Sequence, residues 1–145
     1  MYQKDNMLTI EERKWNLMWD MWVEGSAVSP YAELMQYDSE VNNGGHFQYF
    51  INGTLMGDMN EQIGILLENL PELLRDNLKH AYDVFCGLQR QCGMGDDYDA
   101  YSALEDMCDP EKVEKFIEYD KLLYDNEDAI MNILKEYANA LSLNL

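Results

Sequence analysis

The residues of this chain best suited to chemistry are His46, His80, Cys86, Cys92 and Cys108, and their surroundings limit what that chemistry could be. His46 lies close in sequence to Asp38 and Glu40, so a carboxylate–imidazole pair could act there as acid and base. No nucleophile is marked beside it, and His46 also reads simply as a polar residue at a helix start. The three cysteines and His80 could in principle gather zinc, but their spacing fits no familiar site, and ordinary thiols in a reducing compartment are the simpler reading. A carboxylate-bridged metal pair in a helical bundle needs Glu-x-x-His on two helices, and the chain contains none. The phosphate-loop, dinucleotide, nucleophile-elbow and H-E-x-x-H patterns are missing too. The expectation is a protein that is not an enzyme and has no catalytic residues, metal or cofactor.

Charge is the stronger signal. The chain has 145 residues, with 28 Asp and Glu against 10 Lys and Arg, for a formal net charge of −18. Such a field repels nucleic acid and anionic membranes and attracts basic protein surfaces. Acids concentrate between Asp96 and Asp128, where Lys112, Lys115 and Lys121 are the basic residues. Asp109, Glu111, Glu114, Glu118, Asp125, Glu127 and Asp128 form the candidate protein-binding face. Within it Glu111, Glu114 and Glu118 recur at i, i+3, i+7, which places carboxylates on one side of a helix with Cβ atoms about 5–6 Å apart. Two readings stand: a contact surface for a cationic partner, or a solvated face that keeps the protein soluble.

These residues need a scaffold, and the periodicity supplies an all-α one: a single domain over residues 1–145, a compact bundle of about six to seven helices. Thr9 and Glu12 form a capping box ahead of a helix carrying Trp15, Trp19 and Trp22 as a stripe and ending at Gly25. Ser29-Pro30 opens a second helix. Asp58, with Glu61 three residues on, is expected to cap a helix bearing Ile63, Leu66, Leu67 and Leu70, and Pro71 ends it. Leu74, Leu78, Ala81, Phe85 and Leu88 mark the helix after Pro71 as the central core element. A loop is expected between Gly87 and Tyr101. Asp109-Pro110 then restarts a helix with Val113, Phe116, Ile117 and Tyr124 inward, and Asn126 caps a last one bearing Ile130, Ile133, Leu134, Tyr137 and Leu141. Neither a secretory signal nor a membrane-length apolar run is read, so the expected location is the cytoplasm, without membrane contact.

One stretch departs from simple periodicity. The helix through Tyr31, Leu34, Met35, Asp38 and Val41 runs out at Asn42-Asn43-Gly44-Gly45, and a short helix follows with Phe47, Phe50 and Ile51 on one face and His46, Gln48, Tyr49 and Asn52 elsewhere. Glu40 is the nearest carboxylate able to satisfy the new helix's first N–H groups, which suggests a polar clasp of Glu40, Asn43, Gln48 and Asn52. Alternatively those N–H groups hold an anion or small ligand.

The run Glu40-x-x-Asn43-Gly44-Gly45-x-Phe47-Gln48-Tyr49-Phe50-x-Asn52 resembles the signature of the DNA-mimic-protein (number nineteen) family, small acidic helical proteins of bacteria formerly filed as a domain of unknown function. Phe116, Asp120 and Tyr124 resemble its later series of aromatic, acid and aromatic. The resemblance implies a dimer whose carboxylates stand in for DNA phosphates, occupying the DNA-binding surface of a basic protein in transcription regulation. Two alternatives remain: a ligand-binding or enzymatic domain centred on Glu40, His46 and Gln48, or an immunity-type inhibitor of a basic toxin.

Overall fold

Helix α1 (Ile10–Glu24) begins where Thr9 accepts a hydrogen bond from the Glu12 N–H at 3.0 Å while the Glu12 carboxylate accepts from the Thr9 N–H at 3.3 Å, the reciprocal cap expected from their spacing. In this computed structural model, which describes residues 7–92 and 110–143, five further helices follow: α2 (Tyr31–Met56), α3 (Met59–Asn69), α4 (Glu72–Cys92), α5 (Pro110–Asp125) and α6 (Asp128–Asn139). The described residues contain no strand, and the all-α reading holds.

The expected core faces are largely in place. Leu74, Leu78, Ala81, Phe85 and Leu88 of α4 are all buried, as are Ile63, Leu66 and Leu70, and Ile130 and Leu134 of α6. The hub, however, is α2 rather than α4: α2 packs against α3, α4, α5 and α6. The break at Gly45 explains this: residues 31–44 and 46–56 form two half-helices of about 21 Å and about 16 Å at 1.5 Å per residue, and between them they meet more neighbours than one straight helix would. Helix α1 lies along α6, where Lys14 Nζ donates to the Asn139 carbonyl at 3.0 Å; Tyr31, at the start of α2, stacks on Tyr137 of α6 at 4.0 Å between centroids.

Several local expectations are corrected. The chain stays helical through Asn43 and Gly44, and only Gly45 breaks, at φ 84°, ψ 174°. This turns the expected corner into a one-residue hinge inside α2 rather than a helix end. Asp58 stands at the start of α3 but makes no cap bond; its carboxylate instead accepts from the Gln62 side chain at 2.9 Å. Asn126 closes α5 by donating to the Leu122 carbonyl at 2.9 Å, and Glu127 takes the position ahead of α6. Pro30 lies just before α2 rather than in its first turn. Ile117 points to solvent and Tyr124 is 44% exposed, because the buried pair Phe116 and Leu123, seven residues apart, sets the inner face of α5. Helix α4 continues to Cys92 where a loop was expected; the rest of that loop and Asp109 lie outside the described residues.

Candidate functional site

The hinge organises the chemistry-bearing side chains. Positive φ is open to glycine at little cost, and at Gly45 space also demands it, since a Cβ there would stand 2.5 Å from Asp120 Oδ2. The second half of α2 starts at His46, whose backbone N–H donates to Asp120 Oδ1 at 2.8 Å. The capping carboxylate is therefore Asp120 of α5, and not Glu40 as the sequence suggested. A free N–H for an anion is likewise not what the hinge offers at His46, because a resident carboxylate occupies it.

His46 is wholly buried and both ring nitrogens are engaged. Nδ1 lies 2.6 Å from the same Asp120 oxygen, and Nε2 lies 2.6 Å from the Tyr37 hydroxyl. The network assigns the proton to Nδ1, leaving Nε2 to accept from Tyr37. Burial, followed by the charges of Tyr49, Asp120 and Asp38, holds the Tyr37 hydroxyl protonated well above the usual phenol range, which suits a donor. Neither Glu40 nor Asp38 pairs with His46, and an imidazole shut inside the core and bonded at both nitrogens has no lone pair to offer a substrate. It locks α2 to α5.

The later aromatic–acid–aromatic series serves the same hinge. Phe116 packs on Phe47 at 5.2 Å between ring centroids, Asp120 caps the second half-helix, and the Tyr124 hydroxyl donates to the Val41 carbonyl at 2.8 Å. Nearby, Asn42 donates to both the Asp38 carbonyl and the Glu127 carboxylate. Burial, with the Glu127 carboxyl alongside, pushes Asp38 up to about 8, so it holds a proton at neutral pH. Its Oδ1 is buried without a hydrogen-bond partner among the described residues. Glu127 is thereby drawn half inward, away from the acidic face to which it was assigned.

The proposed clasp is realised in part. Asn52 Nδ2 donates to Glu40 Oε2 at 2.8 Å, and Gln36 Nε2 to Glu40 Oε1 at 3.3 Å. Asn43 faces solvent, and the Gln48 side chain folds back over Gly44, where a Cβ would meet its Oε1 at 2.0 Å. Of the motif aromatics, Phe47 and Phe50 are buried as expected. Tyr49 and His46, expected to point elsewhere, are buried as well. The cause is the kink, which sends the second half of α2 between α3 and α4 on one side and α5 on the other, so little of its circumference reaches water.

On the side of the hinge bearing Glu40, an open cleft of about 650 Å³ lies between the end of α1, both halves of α2 and the start of α3. Glu33, Glu40 and Asp58 line it together with Gln36, Asn52, Gln62, Tyr49 and Trp22. The Tyr49 hydroxyl donates to Gln62 Oε1 at 2.9 Å. Burial first, then the charges of Asp58, Glu33 and Glu40, raise its pKa above the usual phenol range. Apart from Glu40, Tyr49 and Asn52, sequence reasoning missed this lining, because it comes from three elements joined only by folding.

The second feature is the outer face of α5. Glu111, Glu114, Glu118 and Asp125 are all exposed. At 100° per residue their positions fall within about 60° of arc and rise over about 21 Å. Asp128 is exposed at the start of α6, Ile117 shares the outer side of α5, and Lys115 and Lys121 flank the row. Among the described residues no group of three or more His, Cys, Asp and Glu could hold a metal ion, and no helix is long and apolar enough to cross a membrane. Comparison with models of known families, with curated proteins and with solved structures gave no match.

Proposed function

We propose that this chain is an acidic charge mimic, which binds a basic DNA-binding protein and blocks its access to DNA. The observation that carries the reading is the straight row Glu111, Glu114, Glu118 and Asp125 on the exposed face of one helix. A row fixed on a helix differs from a generally acidic surface, because its charges keep their spacing as a partner approaches. Helix α5 is held firmly for this purpose: Phe116 and Leu123 are buried, and Asp120 and Tyr124 bond across to α2. Counter-ions released from a cationic groove would favour the complex much as they favour its DNA complex, so binding weakens steeply with salt. The net charge of −18 adds long-range attraction toward such a groove. Regulation of transcription, a cytoplasmic location and a homodimer belong to the same proposal.

The test begins by capturing basic proteins on the immobilised chain and identifying them. Each is then titrated on its own labelled DNA with added protein, at low and physiological salt. Displacement of DNA in proportion to added protein, relieved by salt, supports the reading. Captured proteins that keep their DNA at saturating protein refute it.

A further inference from the structure

We propose that the cleft beside the hinge is a binding site for an organic cation of the guanidinium class. The inference stands on α1, α2 and α3 and is independent of the row on α5. Three carboxylates line the cleft, and among the described residues its lining contains no Lys, Arg or His. Each is held by neutral donors: Ser29 Oγ donates to Glu33 at 2.7 Å, Gln36 and Asn52 donate to Glu40, and Gln62 donates to Asp58. Such donors orient a carboxylate without cancelling its charge, and the charges of all three bear on the buried Tyr49 hydroxyl. The cleft therefore carries an uncompensated negative field focused between low-dielectric walls.

Geometry selects the kind of cation. No three of these acids converge closely enough to hold a metal ion, so a compact divalent cation is poorly served. The volume, about 650 Å³, falls within the roughly 300–1,000 Å³ typical of small-molecule sites. Trp22 forms one wall, set edge-on to Trp19 at 5.5 Å between centroids, and Leu55 and Met56 form an apolar margin. A planar, weakly hydrated guanidinium can donate its fork of N–H groups to spaced carboxylates while its face lies on an indole. An alkyl chain behind it would cover Leu55 and Met56. A free alkylguanidine and an arginine side chain of a bound protein share this chemistry.

Calorimetric titration distinguishes the sources, using agmatine, a doubly capped arginine tripeptide, putrescine and calcium chloride at matched ionic strength. The expectation is saturable binding of agmatine or the tripeptide, with putrescine and calcium at least about tenfold weaker. Binding of agmatine alone assigns the site to a free metabolite; binding of the tripeptide assigns it to a protein side chain. Glu40→Gln and Asp58→Asn should each weaken binding about tenfold, the scale of one charge-assisted hydrogen bond, while Glu136→Gln, exposed on α6, leaves it unchanged. Chemical-shift mapping on the wild-type protein does not depend on how the variants fold. It should move the side-chain amides of Gln36, Asn52 and Gln62 and the Trp22 indole. Binding of neither guanidinium ligand overturns the proposal. So do shifts confined to other faces, equal affinity for putrescine or calcium, and folded cleft variants that bind like wild type.

Discussion

Replacing Asp120 with alanine is expected to be among the most damaging single changes in this protein. One oxygen of that carboxylate receives two donors, the His46 backbone N–H at 2.8 Å and the His46 Nδ1 at 2.6 Å, and His46 is fully buried. Alanine leaves both donors without a partner and removes negative charge from the start of the second half of α2. Hydrogen bonds to charged groups contribute about 1.5–3 kcal/mol each, and two are lost together. The expected loss is therefore about 3–6 kcal/mol, a fall in Tm of roughly 10–20 °C for a domain of this size. Asp120→Asn keeps the volume and one acceptor, and should cost about 1–2 kcal/mol. Urea unfolding followed by tryptophan fluorescence measures both. A loss below about 1 kcal/mol for alanine, or asparagine as damaging as alanine, would refute the idea that Asp120 holds the hinge.

Three further outcomes follow from the same region. Gly45→Ala should cost about 1–3 kcal/mol for a φ and ψ that are essentially glycine's alone, plus the displacement of Asp120; combined with Asp120→Ala it should cost less than the sum of the two, measured as a double-mutant cycle. Tyr37→Phe leaves His46 Nε2 without its donor and should lower stability by about 1–3 kcal/mol in chemical denaturation. Asp38, with an ordinary value of 3.8 raised to about 8, favours the folded state only while protonated. Its contribution is complete below about pH 4 and is lost as pH rises toward and through about 8, so Asp38→Asn should flatten the decline in Tm over that window.

Much of the scaffold could be read from the sequence because its determinants are local. Thr9 and Glu12 are three residues apart, Pro71 interrupts two helices, and the core face of α4 repeats at helical spacing. The hinge was legible only as the four-residue run Asn42-Asn43-Gly44-Gly45, of which Gly45 alone leaves the helical conformation. What closes the hinge was not: Asp120 lies 74 positions from His46, and helical periodicity says nothing of which distant carboxylate arrives. Glu40 was the nearest in sequence, yet it faces the cleft with Asn52. Tyr49 and His46 looked peripheral because one apolar face was assumed, whereas the kinked half of α2 is enclosed on several sides. Asp58 matched a cap pattern, but the Gln62 side chain competes for its carboxylate. On α5, three acids at helical spacing were visible, and Asp125 joins them because the helix stays regular for two further turns.

The most direct test of the charge-mimic reading is DNA displacement from a captured basic protein by wild type and by a variant carrying Glu111→Gln, Glu114→Gln, Glu118→Gln and Asp125→Asn. All four side chains are exposed, so folding should be little changed, which circular dichroism and Tm will verify. The expected result is displacement by wild type and a loss of at least about tenfold in potency for the variant, with a shallower dependence on salt. Equal potency of the folded variant and the wild type would contradict it.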